Sequence, residues 1–298
     1  MSQTSRKFGL KLIVCLLLTA FIFTGCSFWE EGAEETPEGQ ESSPDEKVEQ
    51  TKMPERLTNK RAEIIADYEG KTPQEWGIDV SGVVTSLDTK EQVVALTLDA
   101  CGGSHGSGYD KELIDFLIEK EISATLFING RWIDENRETF EELEDNYLFE
   151  IANHGSQHLP LSVSGRSAYG IEGTESVAQV VDEVLDNRWK IKQILGEKPD
   201  YFRSGTAYYD EVAVEIVNEL GEEVIGFDIS GDGGAKFTAE EVENTFLKAE
   251  PGSIILAHMN QPDSETAEGI MEAVPKLQER GFQFVLLSEY EDKFVEEN

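Results

Sequence analysis

The chain has 298 residues, with 60 acidic against 25 basic side chains and a net charge of −35. Such a surface repels phosphate, which excludes nucleic acid as a partner. Hydrophobic residues make up 39%, enough for a sizeable core in one large or two ordinary domains, and three cysteines leave no even-numbered disulfide framework.

The N-terminus reads as an export signal. Arg6, Lys7 and Lys11 give a positive start, Leu12 to Phe23 is almost wholly apolar, and Thr24-Gly25-Cys26 follows. The run is short for a membrane span and ends in small residues. A small residue before a cysteine resembles the bacterial lipoprotein signal, in which that cysteine receives lipid. On this reading residues 1–26 are a lipoprotein signal peptide and Cys26 is the lipidation site. An uncleaved anchor is the alternative. Either way the remaining chain is expected outside the cytoplasm, attached to the membrane on its extracytoplasmic side.

Residues 27–55 form an acidic spacer. From Glu30 to Glu49 there are nine acids and one base, Lys47, interspersed with Pro37, Pro44, Gly32, Gly39 and serines. Low hydrophobicity with high like charge does not repay the entropy of ordering, so disorder is expected here. Residues 56–87 are a lead-in, with a short helix expected over 55–68.

Beyond about residue 75 apolar runs alternate with helix-like stretches. Strands are expected at Val93–Asp99, Ala124–Ile128, Phe149–Asn153, Tyr201–Arg203, Val224–Ile229, Ile254–His258 and Gln283–Leu287. Helices are expected at Asp110–Lys120, Glu135–Asn146, Glu175–Leu195, Asp210–Leu220, Ala239–Lys248 and Glu265–Arg280, with Gly196, Gly221 and Gly281 just past three of them. Alternation of this kind implies a parallel sheet, and continuous apolarity implies strands buried on both faces. The expected fold is α/β, a distorted seven-stranded (β/α) barrel.

All four histidines, His105, His154, His158 and His258, lie in short polar stretches after such runs. Asp99, Asp228 and Arg203 end three more runs. In a parallel α/β barrel the carboxyl ends of the strands converge on one face, so these residues are expected to share a site. Imidazoles and carboxylates are the ligands, bases and acids of a metal-assisted hydrolase.

Ala95-Leu-Thr97-Leu-Asp99-Ala100, His154-Gly-Ser-Gln-His158, Tyr201-Phe-Arg203, Phe227-Asp228 and Ile255-Leu-Ala-His258 follow one another in the order and rough spacing of a known family. They resemble the polysaccharide deacetylases, carbohydrate esterase family 4, the NodB-homology domain, over residues 88–290. The resemblance implies a divalent metal, usually zinc, and hydrolysis of N-acetyl groups on an amino-sugar polymer such as peptidoglycan or a chitin-like glycan. It implies Asp99 as catalytic base, His154 and His158 as metal ligands, and Arg203 as the group that orients the base. It implies His258 as the acid and Asp228 as the carboxylate that pairs with it.

Three departures stand out. The family's second aspartate of the first motif is Ala100 here. Arg203 is followed by Ser-Gly-Thr-Ala in place of prolines. Ser230-Gly-Asp-Gly-Gly234 replaces a tryptophan motif. With Ala100 in place, the metal is left to two histidines and water, to Asp99, or to His105 or Cys101. Hydrolysis of another C–N or ester bond, and a non-catalytic glycan-binding envelope lipoprotein, are the rival functions. Nothing in the sequence fixes an oligomeric state.

Overall fold

The computed structural model describes residues 52–297, so the expectations for the signal peptide, Cys26 and most of the acidic spacer lie outside the described residues. In chain order the elements are α1 (Glu55–Tyr68), β1 (Val84–Leu87), β2 (Val93–Ala100), α2 (Lys111–Glu119), β3 (Ala124–Ile128), α3 (Gly130–Glu135), α4 (Arg137–Glu144), β4 (Phe149–Asn153) and α5 (Val177–Leu195). They continue with β5 (Tyr201–Phe202), α6 (Glu211–Leu220), β6 (Glu223–Val224), β7 (Ile229–Ser230), α7 (Ala239–Phe246), β8 (Ser253–His258), α8 (Thr266–Glu279), β9 (Gln283–Val285) and β10 (Phe294–Glu296).

Local chemistry sets the helix ends. The Asp110 carboxylate accepts from the Leu113 N–H at 3.0 Å and starts α2. Asp210 does the same for Ala213 at 2.8 Å in α6, and Thr238 with Glu241 forms a capping box on α7. Helices α5 and α6 stop at Gly196 and Gly221, both left-handed, as expected. The helix expected over Glu135–Asn146 appears as α4, and a short helix that was not expected, α3, precedes it. Asn136 separates the two by leaving helical geometry, and its side chain donates to the carbonyls of Ser107 and Trp132.

The sheet runs β10-β1-β8-β2-β3-β4-β5-β6, with β7 also on β8 and β9 also on β2. Strands β2 to β6 and β8 are mutually parallel where they pair. The run expected over Val224–Ile229 is broken into β6 and β7. Strands β1 and β10, which the sequence reading missed, pair antiparallel at the far edge. Val84 in β1 bridges Ile225, just past β6, and the Gly226 N–H donates to the Val84 carbonyl at 2.7 Å, so the sheet curls back on itself as a distorted barrel.

Every residue of β2 is buried. Side chains alternate across a strand, so its two faces feed two layers. Val93 and Ala95 join Phe127, Ala152, Tyr201 and Ile254 inside the curl. Val94, Leu96, Leu98 and Ala100 pack outward with Leu113 and Leu117 of α2 and Val274 and Leu277 of α8. The same alternation turns Thr97 and Asp99 inward. In register, Asp99 lies opposite His258 and Ile128 opposite Asn153, which levels the carboxyl ends at one mouth.

Candidate active site

Asp99 is the last inward residue of β2 and is 3% exposed. Arg203, which directly follows β5, is wholly buried and donates from Nη1 to Asp99 Oδ1 at 2.8 Å and to Thr97 Oγ1 at 3.0 Å. Its remaining N–H groups go to the carbonyls of Ile225 (3.0 Å) and Gly226 (2.7 Å). Its guanidinium carbon lies 4.1 Å from the centre of the Phe127 ring. Every interaction aims the guanidinium at one carboxylate. Burial opposes ionisation of Asp99, but the charges of Arg203, His154 and His258 outweigh it and hold the carboxyl below its usual range.

His154 follows β4 and is 1% exposed. Its Nδ1 donates to the Arg203 carbonyl at 2.9 Å. Its Nε2 therefore faces the mouth, 3.6 Å from Asp99 Oδ2 and 3.9 Å from Cys101 Sγ. The His158 ring stands edge-on to it with centroids 4.9 Å apart. Cys101, His154 and His158 thus offer ligand atoms that all lie within 4.8 Å of one another. Cys101 is the first residue beyond β2. Burial pushes its thiol up, but His158, His154 and His258 outweigh that and hold it well below its ordinary value.

The loop carrying His158 is held from below. The Glu183 carboxylate on α5 accepts from Ser156 Oγ at 2.8 Å and from the backbone N–H groups of Gln157 and Leu159. Asn129 Nδ2 donates to the carbonyls of His154 and Gly155. His158 itself sits at φ 63, a conformation that non-glycine residues rarely adopt. A β-carbon on Gly205 would fall 2.2 Å from the His158 carbonyl carbon, so only glycine lets the Arg203 loop pass this close.

His258 ends β8. Its Nδ1 lies 3.0 Å from both oxygens of Asp232, and its backbone N–H donates to Asp232 Oδ2 at 2.8 Å. Thr266 Oγ1 and the Gly234 N–H also donate to that carboxylate, which is fully buried. Burial disfavours the imidazolium, yet the Asp232 charge wins and raises His258 well above its ordinary value. This corrects the assignment of Asp228. Asp228 accepts from Ser253 Oγ and the Ile254 N–H, both at 2.7 Å, at the opposite end of β8, and takes no part in the mouth. Asp232, two residues past β7, is the partner of His258. Glu183 was also missed; it lies mid-helix, where nothing local marks it.

Cys101, His158 and His258 line an open cleft of about 300 Å³, with Arg131, Asn260 and Gln261 on its walls. His105 lines the same cleft but is exposed and outside the three-donor cluster. Ala100 is buried in the outward apolar layer and offers no donor.

Residues 86–225 match the family model described as polysaccharide deacetylase. A peptidoglycan-N-acetylglucosamine deacetylase of Bacillus cereus is 25% identical over 218 residues, covering 71% of this chain and 94% of that protein. Among solved structures, a carbohydrate esterase family 4 pseudoenzyme from Bacillus anthracis superposes with a TM-score of 0.60 at 20% identity, over 71% of this chain and 69% of its own. A family 4 acetyl xylan esterase from Clostridium thermocellum, in complex with a cobalt ion, gives 0.53 at 25% identity, over 66% and 89%.

Proposed function

Over residues 86–225 the chain belongs to the polysaccharide deacetylase family, and we propose that it hydrolyses N-acetyl groups of an extracytoplasmic amino-sugar polymer such as peptidoglycan, with a divalent metal, zinc foremost, at the barrel mouth. The observation that carries this reading is the mouth itself: a buried Arg203–Asp99 pair, a partly exposed His258 held by the buried Asp232, and the His154 and His158 rings packed edge-on.

The donor chemistry fits such an ion, since neutral imidazole nitrogens are good zinc ligands and His154 presents Nε2 with its other nitrogen already committed. His154 and His158 would hold it. When bound, it supplies Lewis acidity toward an amide carbonyl and acidifies water. The rest is done by the chain. Asp99, kept ionised and immobile by Arg203, accepts a proton from water at the mouth. His258, kept protonated by Asp232, delivers one to the departing amine. We further propose that Cys26 carries lipid and holds the domain at the outer face of the membrane, on the strength of the basic start, the apolar run and Gly25-Cys26.

Acetate release from peptidoglycan and chitin oligomers tests the activity. His258→Ala should lower turnover by about 10²- to 10⁴-fold, the range of one acid–base group. Ala100 and the likeness to a pseudoenzyme favour one rival, a non-catalytic glycan-binding envelope protein. Glycan binding by the folded protein without acetate release at any metal concentration would establish that rival instead.

A further inference from the structure

We propose that Cys101 is a thiolate ligand of the metal, so that the site is Cys101, His154 and His158, a sulfur-containing donor set standing in for the carboxylate that Ala100 does not supply. It rests on the reading above in requiring a metal at the mouth, and not in requiring hydrolysis.

Geometry carries the inference. With zinc–sulfur near 2.3 Å and zinc–nitrogen near 2.0–2.1 Å, tetrahedral ligation separates sulfur from nitrogen by about 3.6 Å. Cys101 Sγ stands 3.9 Å from His154 Nε2, and the His158 donor completes a triangle with no side over 4.8 Å. An ion therefore needs shifts of a few tenths of an ångström to about one, within the reach of side-chain torsions. His154 is set to present Nε2, because its Nδ1 is held by the Arg203 carbonyl.

Cys101 is held as firmly. It opens a glycine turn in which Gly102, at φ 70, passes so close to α3 that a β-carbon there would fall 2.5 Å from the Trp132 nitrogen. The Gly102 N–H is also taken by the Gly106 carbonyl at 2.8 Å. The rival donor, Asp99, already spends Oδ1 on Arg203, and although its Oδ2 is 3.6 Å from His154 Nε2 it is not among the three ligand atoms that all lie within 4.8 Å of one another. Three protein ligands leave a fourth position for substrate or water, and Cys101 and His158 both line the open cleft. A thiolate makes the site softer than a carboxylate would, which favours zinc, cobalt and cadmium over magnesium and manganese.

The test is spectroscopic and independent of turnover. The full chain, stripped of metal, is titrated with cobalt(II), and zinc affinity is measured against a chromophoric chelator. The wild type should show a thiolate-to-cobalt charge-transfer band in the near ultraviolet and bind one zinc. Cys101→Ser should lose the band and weaken zinc binding by about tenfold or more, while His154→Ala should lose binding altogether. Cobalt bound without a thiolate band, zinc affinity unchanged in Cys101→Ser, or no metal bound by the folded wild type would each overturn the inference. A thiolate band without acetate release would leave it standing and overturn only the hydrolytic reading.

Discussion

Glu222 shows how far burial reaches beyond the mouth. It is 2% exposed behind β4, and Asn153 Nδ2 donates to its Oε2 at 2.8 Å. Its other oxygen has no hydrogen-bond partner among the described residues; the Arg188 Nε is 3.5 Å away, too long to compensate. Burial pushes the carboxyl up to about 8 against the opposing pull of Arg188 and Asn153. The unfolded chain loses this proton near its ordinary value of 4.5. Between those values the folded state binds more protons, so stability falls as pH rises through the window. Each pH unit in it costs about 1.4 kcal/mol. Glu222→Gln removes the titration and keeps an acceptor for Asn153. Urea unfolding should find the variant more stable than wild type by about 1–4 kcal/mol near pH 8, with the gap closing toward pH 5. Parallel pH profiles would show that Glu222 does not titrate there. The same scale explains one misreading. Phe227-Asp228 looks like a strand end, but Gly226 interrupts the run and Asp228 precedes β7 rather than following it. The usable signal lay two residues past β7, where Asp232 stands among glycines and reads as a mere turn.

Among the elements, those buried on both faces were legible. Strands β2, β3, β4 and β8 are mainly apolar runs, interrupted only by single polar residues such as Thr97, Thr125 and Glu150, and appear within a residue or so of their expected bounds. Strands β1 and β10 were not, since each is three or four residues long and owes its existence to edge pairing rather than to its own composition. Helix α1 was expected as a lead-in, yet it is part of the core. It lies outside the residues matched to the family, and still Ile64, with no exposed surface, shares an apolar cluster with Val180 and Val184 of α5 and Val217 of α6. Lys60 and Arg61 add ion pairs to Glu219 and Asp182, worth little at this exposure. Deleting a buried isoleucine side chain leaves a cavity, and Ile64→Ala should cost about 2–5 kcal/mol in chemical denaturation. A cost under about 1 kcal/mol would mean that α1 is a separable attachment.

At the scale of the whole molecule the governing quantity is charge. Sixty acids face twenty-five bases, and outside the buried pairs at the mouth and at Glu222 several ion pairs, such as Lys111–Asp115 and Arg137–Glu141, lie on exposed helix faces. Most carboxylates therefore repel one another through solvent, which opposes the compact state and is weakened by salt. The screening length shrinks from about 30 Å at 0.01 M to about 3 Å at 1 M. The melting temperature should accordingly rise as sodium chloride increases across that range. The same field acts on substrate. A peptidoglycan fragment bearing carboxylates approaches an anionic surface, whereas a chitin oligomer is neutral. Added salt should lower KM for the charged fragment and leave KM for the neutral oligomer nearly unchanged, with kcat unaffected because the reacting groups are buried and poorly screened. Initial rates of acetate release across a salt series measure both. A KM for the charged fragment that instead rises with salt would mean that the local cation at the cleft wall, Arg131, outweighs the field of the whole chain.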